Sequence, residues 1–230
     1  MSAKVTVDLE KIRYNAELVN EKCRKSGIDI VAVSKVHGAD PNIVKALLSA
    51  GINVIADSRI ANLKKLQDFN CQKWLLRIPA PSECEECVHF ADVSLNSEIS
   101  TIMELDREAQ KQGKIHSVIL LFDLGDLREG FFYEDDILNA VGEVIRLKNI
   151  NLLGIGTSLS CYGGILPTTE NLGRLVEIKK HIEKKYRIKL KVVSGGSSTS
   201  YSLVRAGTIP EGINNLRIGD TIYIGRDDST

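Results

Sequence analysis

The sequence predicts a (β/α)8 barrel. Eight short apolar runs alternate with stretches whose apolar residues recur at i, i+3, i+4 and i+7, the helical period. The alternation is evenly spaced over 230 residues, and no linker, low-complexity tract or long loop interrupts it. Strands separated by helices pair in parallel through right-handed crossovers. A doubly wound open sheet is the alternative, but eight even units favour closure. One domain is therefore expected over residues 1–230.

A helix comes first. "DLEKIRYNAELVNEKCRKSG" has Asp8 placed to cap it. The first strand is expected at Ile30 to Ser34, followed by "DPNIVKALLSAG", with Asp40 as N-cap, Pro41 at the first helical position and Gly51 as the stop. Strands at Asn53 to Ala56 and Trp74 to Ile78 flank the helical "SRIANLKKLQDF", and Trp74 reads as core. Val93 to Leu95 precedes "NSEISTIMELDREAQKQG", and Ser117 to Phe122 precedes "YEDDILNAVGEVIRLKN". Leu152 to Gly156 leads to "TTENLGRLVEIKKHIEKKY", where His181 and Tyr186 fall on a lysine-rich face expected to be solvated. The last strands are Lys191 to Ser194 and Leu216 to Ile224.

The formal net charge is +0, which gives no argument for nucleic acid or an anionic membrane surface. No apolar run reaches the roughly 18 residues that span a bilayer. The start, "MSAKVTVDLEKIRYNAE", lacks the apolar core of a secretory signal, so a cytoplasmic protein with reduced thiols is expected. Cys84 and Cys87 have CxxC spacing, but zinc needs two further ligands, and no second CxxC or HxxxH supplies them. A helix carrying two incidental cysteines is the better reading, and no metal is expected.

A barrel's active site lies at the C-terminal ends of its strands. "IVAVSKVHGADP" ends the first strand on Lys35, and a buried unpaired ammonium is costly. Such a lysine sits either at the rim or where chemistry needs it. His37 reads as a loop residue rather than a base. After the fifth strand comes "DLGDLREG", with Asp123, Asp126, Arg128 and Glu129; the acidic residues could bind an ammonium tail or form a solvated loop. After the sixth comes "GTSLSCYGG", where Cys161 reads as a packed loop cysteine rather than a base. After the seventh comes "SGGSSTS", whose glycines permit close backbone approach and whose hydroxyls and amides can hold phosphate. "RIGD" brings further amides beside it. Lysine forms a Schiff base with a carbonyl. The cofactor that joins an aldehyde to a phosphate is pyridoxal phosphate (PLP), with Arg217 as a candidate partner for its ring nitrogen.

These residues also carry a resemblance. "VAVSKVHGADPNIVKALLSAGINVIADSR" and "LRIGDTIYIG" resemble segments of the alanine racemase-like, fold-type III PLP enzymes. "FDLGDLREGF", "GIGTSLSCYGG" and "SGGSSTSYSLVRAGTIPEGINNLRIGD" are similar to the ornithine racemase branch, which acts on basic amino acids. The resemblance covers essentially the whole chain and implies an alanine racemase N-terminal-type barrel catalysing racemisation of ornithine or another basic amino acid. It implies that Lys35 holds PLP and acts as one acid/base. It implies that Arg128 contacts the phenolic oxygen and the substrate carboxylate. Ser197 or Ser198, with the amides of Gly219 and Asp220, would hold the phosphate, and Arg217 would face the ring nitrogen. An arginine there keeps that nitrogen unprotonated, which weakens the electron sink and suits racemisation over transamination. A small amino acid is the implied partner, and full-length family members are homodimers.

Alanine racemases of this fold carry a C-terminal β-domain whose tyrosine is the second base in the partner's site. "GRDDST" ends this chain just after the eighth strand. The ornithine-type motifs favour a truncated racemase; a one-domain PLP-homeostasis protein without a committed substrate is the alternative.

Overall fold

A computed structural model describes residues 6–226 and forms a closed parallel barrel, β1 to β8 in chain order. The strands are β1 (Asp29–Val33), β2 (Val54–Asp57), β3 (Gln72–Leu75), β4 (Val93–Asn96), β5 (His116–Leu121), β6 (Ile150–Gly156), β7 (Val192–Ser194) and β8 (Asn215–Ile218). The helices among the described residues are α1 (Leu9–Lys25), α2 (Pro41–Ser49), α3 (Ile60–Lys64), α4 (Cys84–Phe90), α5 (Ile99–Lys111), α6 (Glu134–Val144), α7 (Thr169–Tyr186), α8 (Tyr201–Ala206) and α9 (Asp220–Tyr223). Closure is made by β1 on β8, with Asp29 to Ala32 opposite Asn215 to Ile218.

The strands read as nearly continuous apolar runs because both of their faces are covered. In β5, Val118 and Leu120 pack against the helices, while Ile119 and Leu121 fill the barrel with Val31, Ala56, Trp74, Val93 and Leu95. Gly154 in β6 is required by close approach: a Cβ there would lie 1.9 Å from the Val192 carbonyl oxygen of β7. Asp8 and Asp40 cap α1 and α2 as their positions suggest, each accepting two backbone N–H bonds.

Four expectations need correction. The last strand stops at Ile218 rather than Ile224, and α9 follows it. The alternating "TIYI" fits a strand, but Ser198 Oγ accepts the N–H groups of Gly219 (3.2 Å) and Thr221 (3.4 Å), turning the chain away from the ladder. In "SRIANLKKLQDF" only Ile60–Lys64 is helical. The sequence carries no signal for α8, whose six residues are too few for a helical period. Tyr186 is half-buried rather than solvated, its hydroxyl donating to the Leu138 carbonyl at 2.6 Å, while His181 pairs with Glu134.

Candidate active site

Lys35, Arg128, Ser197, Ser198, Arg217, Gly219 and Asp220 line a single cavity at the C-terminal mouth of the barrel. They come from four different loops and strand ends, as expected of this architecture. Lys35 opens a 3-10 turn, Lys35–His37, directly after β1. Its side chain is exposed to the cavity, and among the described residues nothing is hydrogen-bonded or ion-paired to its Nζ. Ser34, its neighbour, is anchored instead, donating to Asp57 Oδ2 at 2.6 Å and fixing where the turn begins.

Arg217 is buried in β8. Its Nη1 donates to Ser194 Oγ at 2.6 Å, and its Nη2 donates to the Thr157 carbonyl at 2.7 Å and to Ser158 Oγ at 3.3 Å. Burial pushes its guanidinium down to about 10; the Glu129 charge opposes that fall and the Arg128 charge adds to it. Opposite, the β5–α6 loop is drawn tight: Phe131 N–H donates to the Leu121 carbonyl and Asp123 N–H to the Phe131 carbonyl, both at 2.9 Å. Gly130 makes this closure possible. Its φ is +124°, and a Cβ there would come within 2.7 Å of the Asp123 nitrogen. Arg128 and Glu129 are thereby presented at the mouth. Arg128 Nε lies 3.5 Å from Glu129 Oε1, and its Nη1 contacts Cys161 Sγ.

The acidic loop is neither solvated nor available to a ligand's ammonium tail at two of its three positions. Asp123 Oδ1 accepts the N–H groups of Gly125 and Leu127. Asp126, fully buried, accepts those of Cys161 (3.2 Å), Tyr162 (2.9 Å) and Ile165 (3.1 Å), which pins the β6–α7 loop. Burial alone would raise its carboxyl, but the amides of Tyr162, Ile165, Cys161 and Gly164 together hold it below the usual carboxylate range. Glu129 alone of the three lines the cavity. It accepts a 2.9 Å bond from Ser158 Oγ, a pairing that the sequence, which offers Glu129 only for an ammonium tail or a solvated loop, does not predict. Both lie in segments that follow a strand, Ser158 two residues beyond β6 and Glu129 in the β5–α6 loop, where barrel chemistry gathers.

His37 is held as a structural residue. Its Nδ1 accepts the Asp40 N–H at 3.0 Å, its ring meets Tyr223 edge-on at 4.8 Å, and burial lowers its pKa against the charges of Asp40 and Asp57. Cys84 and Cys87 lie on α4 with buried thiols, which burial pushes up to about 11 and about 12. No cluster of three His, Cys, Asp or Glu able to hold a metal occurs among the described residues, and no described helix is long and apolar enough to cross a membrane.

The cavity thus offers an amine free to attack a carbonyl, two guanidiniums for anionic or acceptor groups, and a hydroxyl-and-amide cluster able to take phosphate. Thr221 Oγ1, buried without a partner beside Ser198, leaves further hydrogen-bonding capacity there. This donor set fits PLP.

Comparison with known proteins agrees. The family model described as alanine racemase, N-terminal domain, matches residues 7–227. An ornithine racemase of Acetoanaerobium sticklandii is 44% identical over 227 residues, 99% of this chain and 64% of that protein. A lysine racemase of Thermotoga maritima is 37% identical over 226 residues, 97% of this chain and 63% of that protein. The chain therefore spans less than two thirds of the length of these curated relatives. An alanine racemase from Streptomyces coelicolor shares the fold at TM-score 0.81 and 18% identity, over 94% of this chain and 58% of that chain. PipY of Synechococcus elongatus with PLP bound does so at TM-score 0.71 and 18% identity, over 89% of this chain and 99% of that chain.

Proposed function

The chain belongs to the alanine racemase N-terminal domain family, and from that premise we propose that it is the PLP-binding barrel of a racemase acting on ornithine or another basic amino acid. The observation that carries this reading is the convergence of Lys35, Arg128, Ser197, Ser198, Arg217, Gly219 and Asp220 on one cavity. The substrate class is supported by the ornithine and lysine racemases that match nearly the whole chain.

PLP, when bound, supplies an aldehyde for a lysine amine and a ring that accepts the electrons left at Cα as its proton departs. Lys35 Nζ would hold the cofactor's aldehyde carbon and would move the Cα proton on one face. Arg128 orients the substrate carboxylate. Ser197 and Ser198, with the Gly219 and Asp220 amides, bind the phosphate and fix the ligand's register. Arg217 donates to the ring nitrogen. Its hydrogen bonds to Ser194, Thr157 and Ser158 hold the guanidinium in place, so this donation needs no reorganisation.

A second reading is a PLP carrier without a committed substrate. It is favoured by PipY, a protein whose whole length this barrel matches in fold. Chiral analysis of L-ornithine, L-lysine and L-alanine incubated with the PLP-loaded protein separates the two. The proposal expects the D-enantiomer to appear from ornithine or lysine faster than from alanine. PLP uptake without racemisation of any of the three, by this chain or by a longer form, leaves the carrier.

A further inference from the structure

The charged side chains lining the cavity are Lys35, Arg77, Arg128, Glu129, Arg217 and Asp220. Arg77 is committed to Glu83 at 2.6 Å. The remaining cations include the buried guanidinium of Arg217, whose burial is costly without an opposing charge nearby. The geometry around it is continuous. Arg217 Nη2 donates to Ser158 Oγ (3.3 Å), Ser158 Oγ donates to Glu129 Oε1 (2.9 Å), and Arg128 Nε approaches the same oxygen (3.5 Å).

We propose that Glu129 is a positioning residue: one carboxylate oxygen ties the buried Arg217, through Ser158, to Arg128 at the mouth, and its charge sets the potential at the cofactor. This rests on the PLP reading above. Through Ser158, Glu129 restrains the guanidinium that faces the ring nitrogen. Directly, it restrains the guanidinium that faces the substrate carboxylate. A single carboxylate thus sets the spacing of the two groups between which cofactor and substrate lie. The nearby charge on Arg217 is consistent with this arrangement, since Glu129 opposes the fall that burial imposes.

The test titrates PLP into the full chain as wild type, Glu129→Gln, Glu129→Asp and Ser158→Ala. It follows the dissociation constant and the pH midpoint of the bound cofactor's visible band. Removing the negative charge disfavours protonation nearby, so Glu129→Gln lowers that midpoint by roughly one unit and weakens binding by roughly tenfold. Glu129→Asp keeps the charge and returns the midpoint towards wild type. Ser158→Ala cuts the link to Arg217, weakening binding with a smaller change in midpoint, and it carries the test if Glu129→Gln does not fold. Weaker binding with an unmoved midpoint in Glu129→Gln marks a merely structural residue and overturns the inference. Binding and midpoint both unchanged overturn it too, and leave the PLP reading standing. A wild type that takes up no PLP overturns both.

Discussion

Single side chains divide into those that act and those that hold. Lys35 and Arg128 reach the cavity with exposed heads, whereas Ser34, Asp57 and Asp126 spend their polar atoms on fixing the backbone beneath them. His116 is the sharpest case of holding. It opens β5 on the helix-facing side, with Nε2 2.8 Å from Ser94 Oγ. Burial, aided by the Lys114 charge, pushes its pKa down from 6.5 to about 4. The unfolded chain therefore binds a proton between those two values that the folded chain refuses. Stability from this histidine is complete above pH 6.5 and is lost as pH falls towards 4, by on the order of 3 kcal/mol. Urea unfolding at neutral and mildly acidic pH checks this: His116→Asn should flatten the acid loss, and an equal loss in both proteins would contradict the assignment. At this scale the candidate site was largely legible. Arg217 lies in β8 and the other candidate residues follow a strand, and strand ends are where a barrel presents its chemistry. The roles of Glu129 and Asp126 were not legible, because a carboxylate's partner is set by loop closure and not by spacing.

The loops are the elements on which the site depends. The β5–α6 loop folds back at Gly130, and the β6–α7 loop is tied to it through Asp126. The two loops therefore behave as one clamp that carries Arg128 and Cys161 together. Asp126→Asn replaces one acceptor oxygen with a donor facing backbone N–H groups. A loss of about 2–4 kcal/mol in unfolding free energy is expected, together with weaker PLP retention. Stability within about 0.5 kcal/mol of wild type would show that the clamp closes without this carboxylate. Strand and helix identities were readable where periodicity was long, as in α1, α5 and α7. They failed where it was short. The segment after Ile218 carries a strand-like alternation, but the hydroxyl of Ser198, a residue distant in sequence, takes its amides and makes a helix of it. That competition between local pattern and tertiary hydrogen bonding leaves no trace in the local sequence.

The whole molecule follows from the alternation of strand and helix. Once eight parallel strands close, the segments after β1, β5, β7 and β8 must meet at one mouth, whatever their separation in the chain. This is why a lysine near the start and an arginine near the end of the sequence can be assigned to one ligand from the strand order alone. The central claim is that β1 delivers Lys35 to PLP. Borohydride reduction of the PLP-saturated protein, followed by peptide mapping, tests it directly. The account predicts a visible band before reduction and a pyridoxyl group on Lys35 after it, with Lys35→Ala unlabelled yet still holding PLP weakly through the phosphate contacts. A label on other lysines alone, or full labelling of Lys35→Ala, would contradict it.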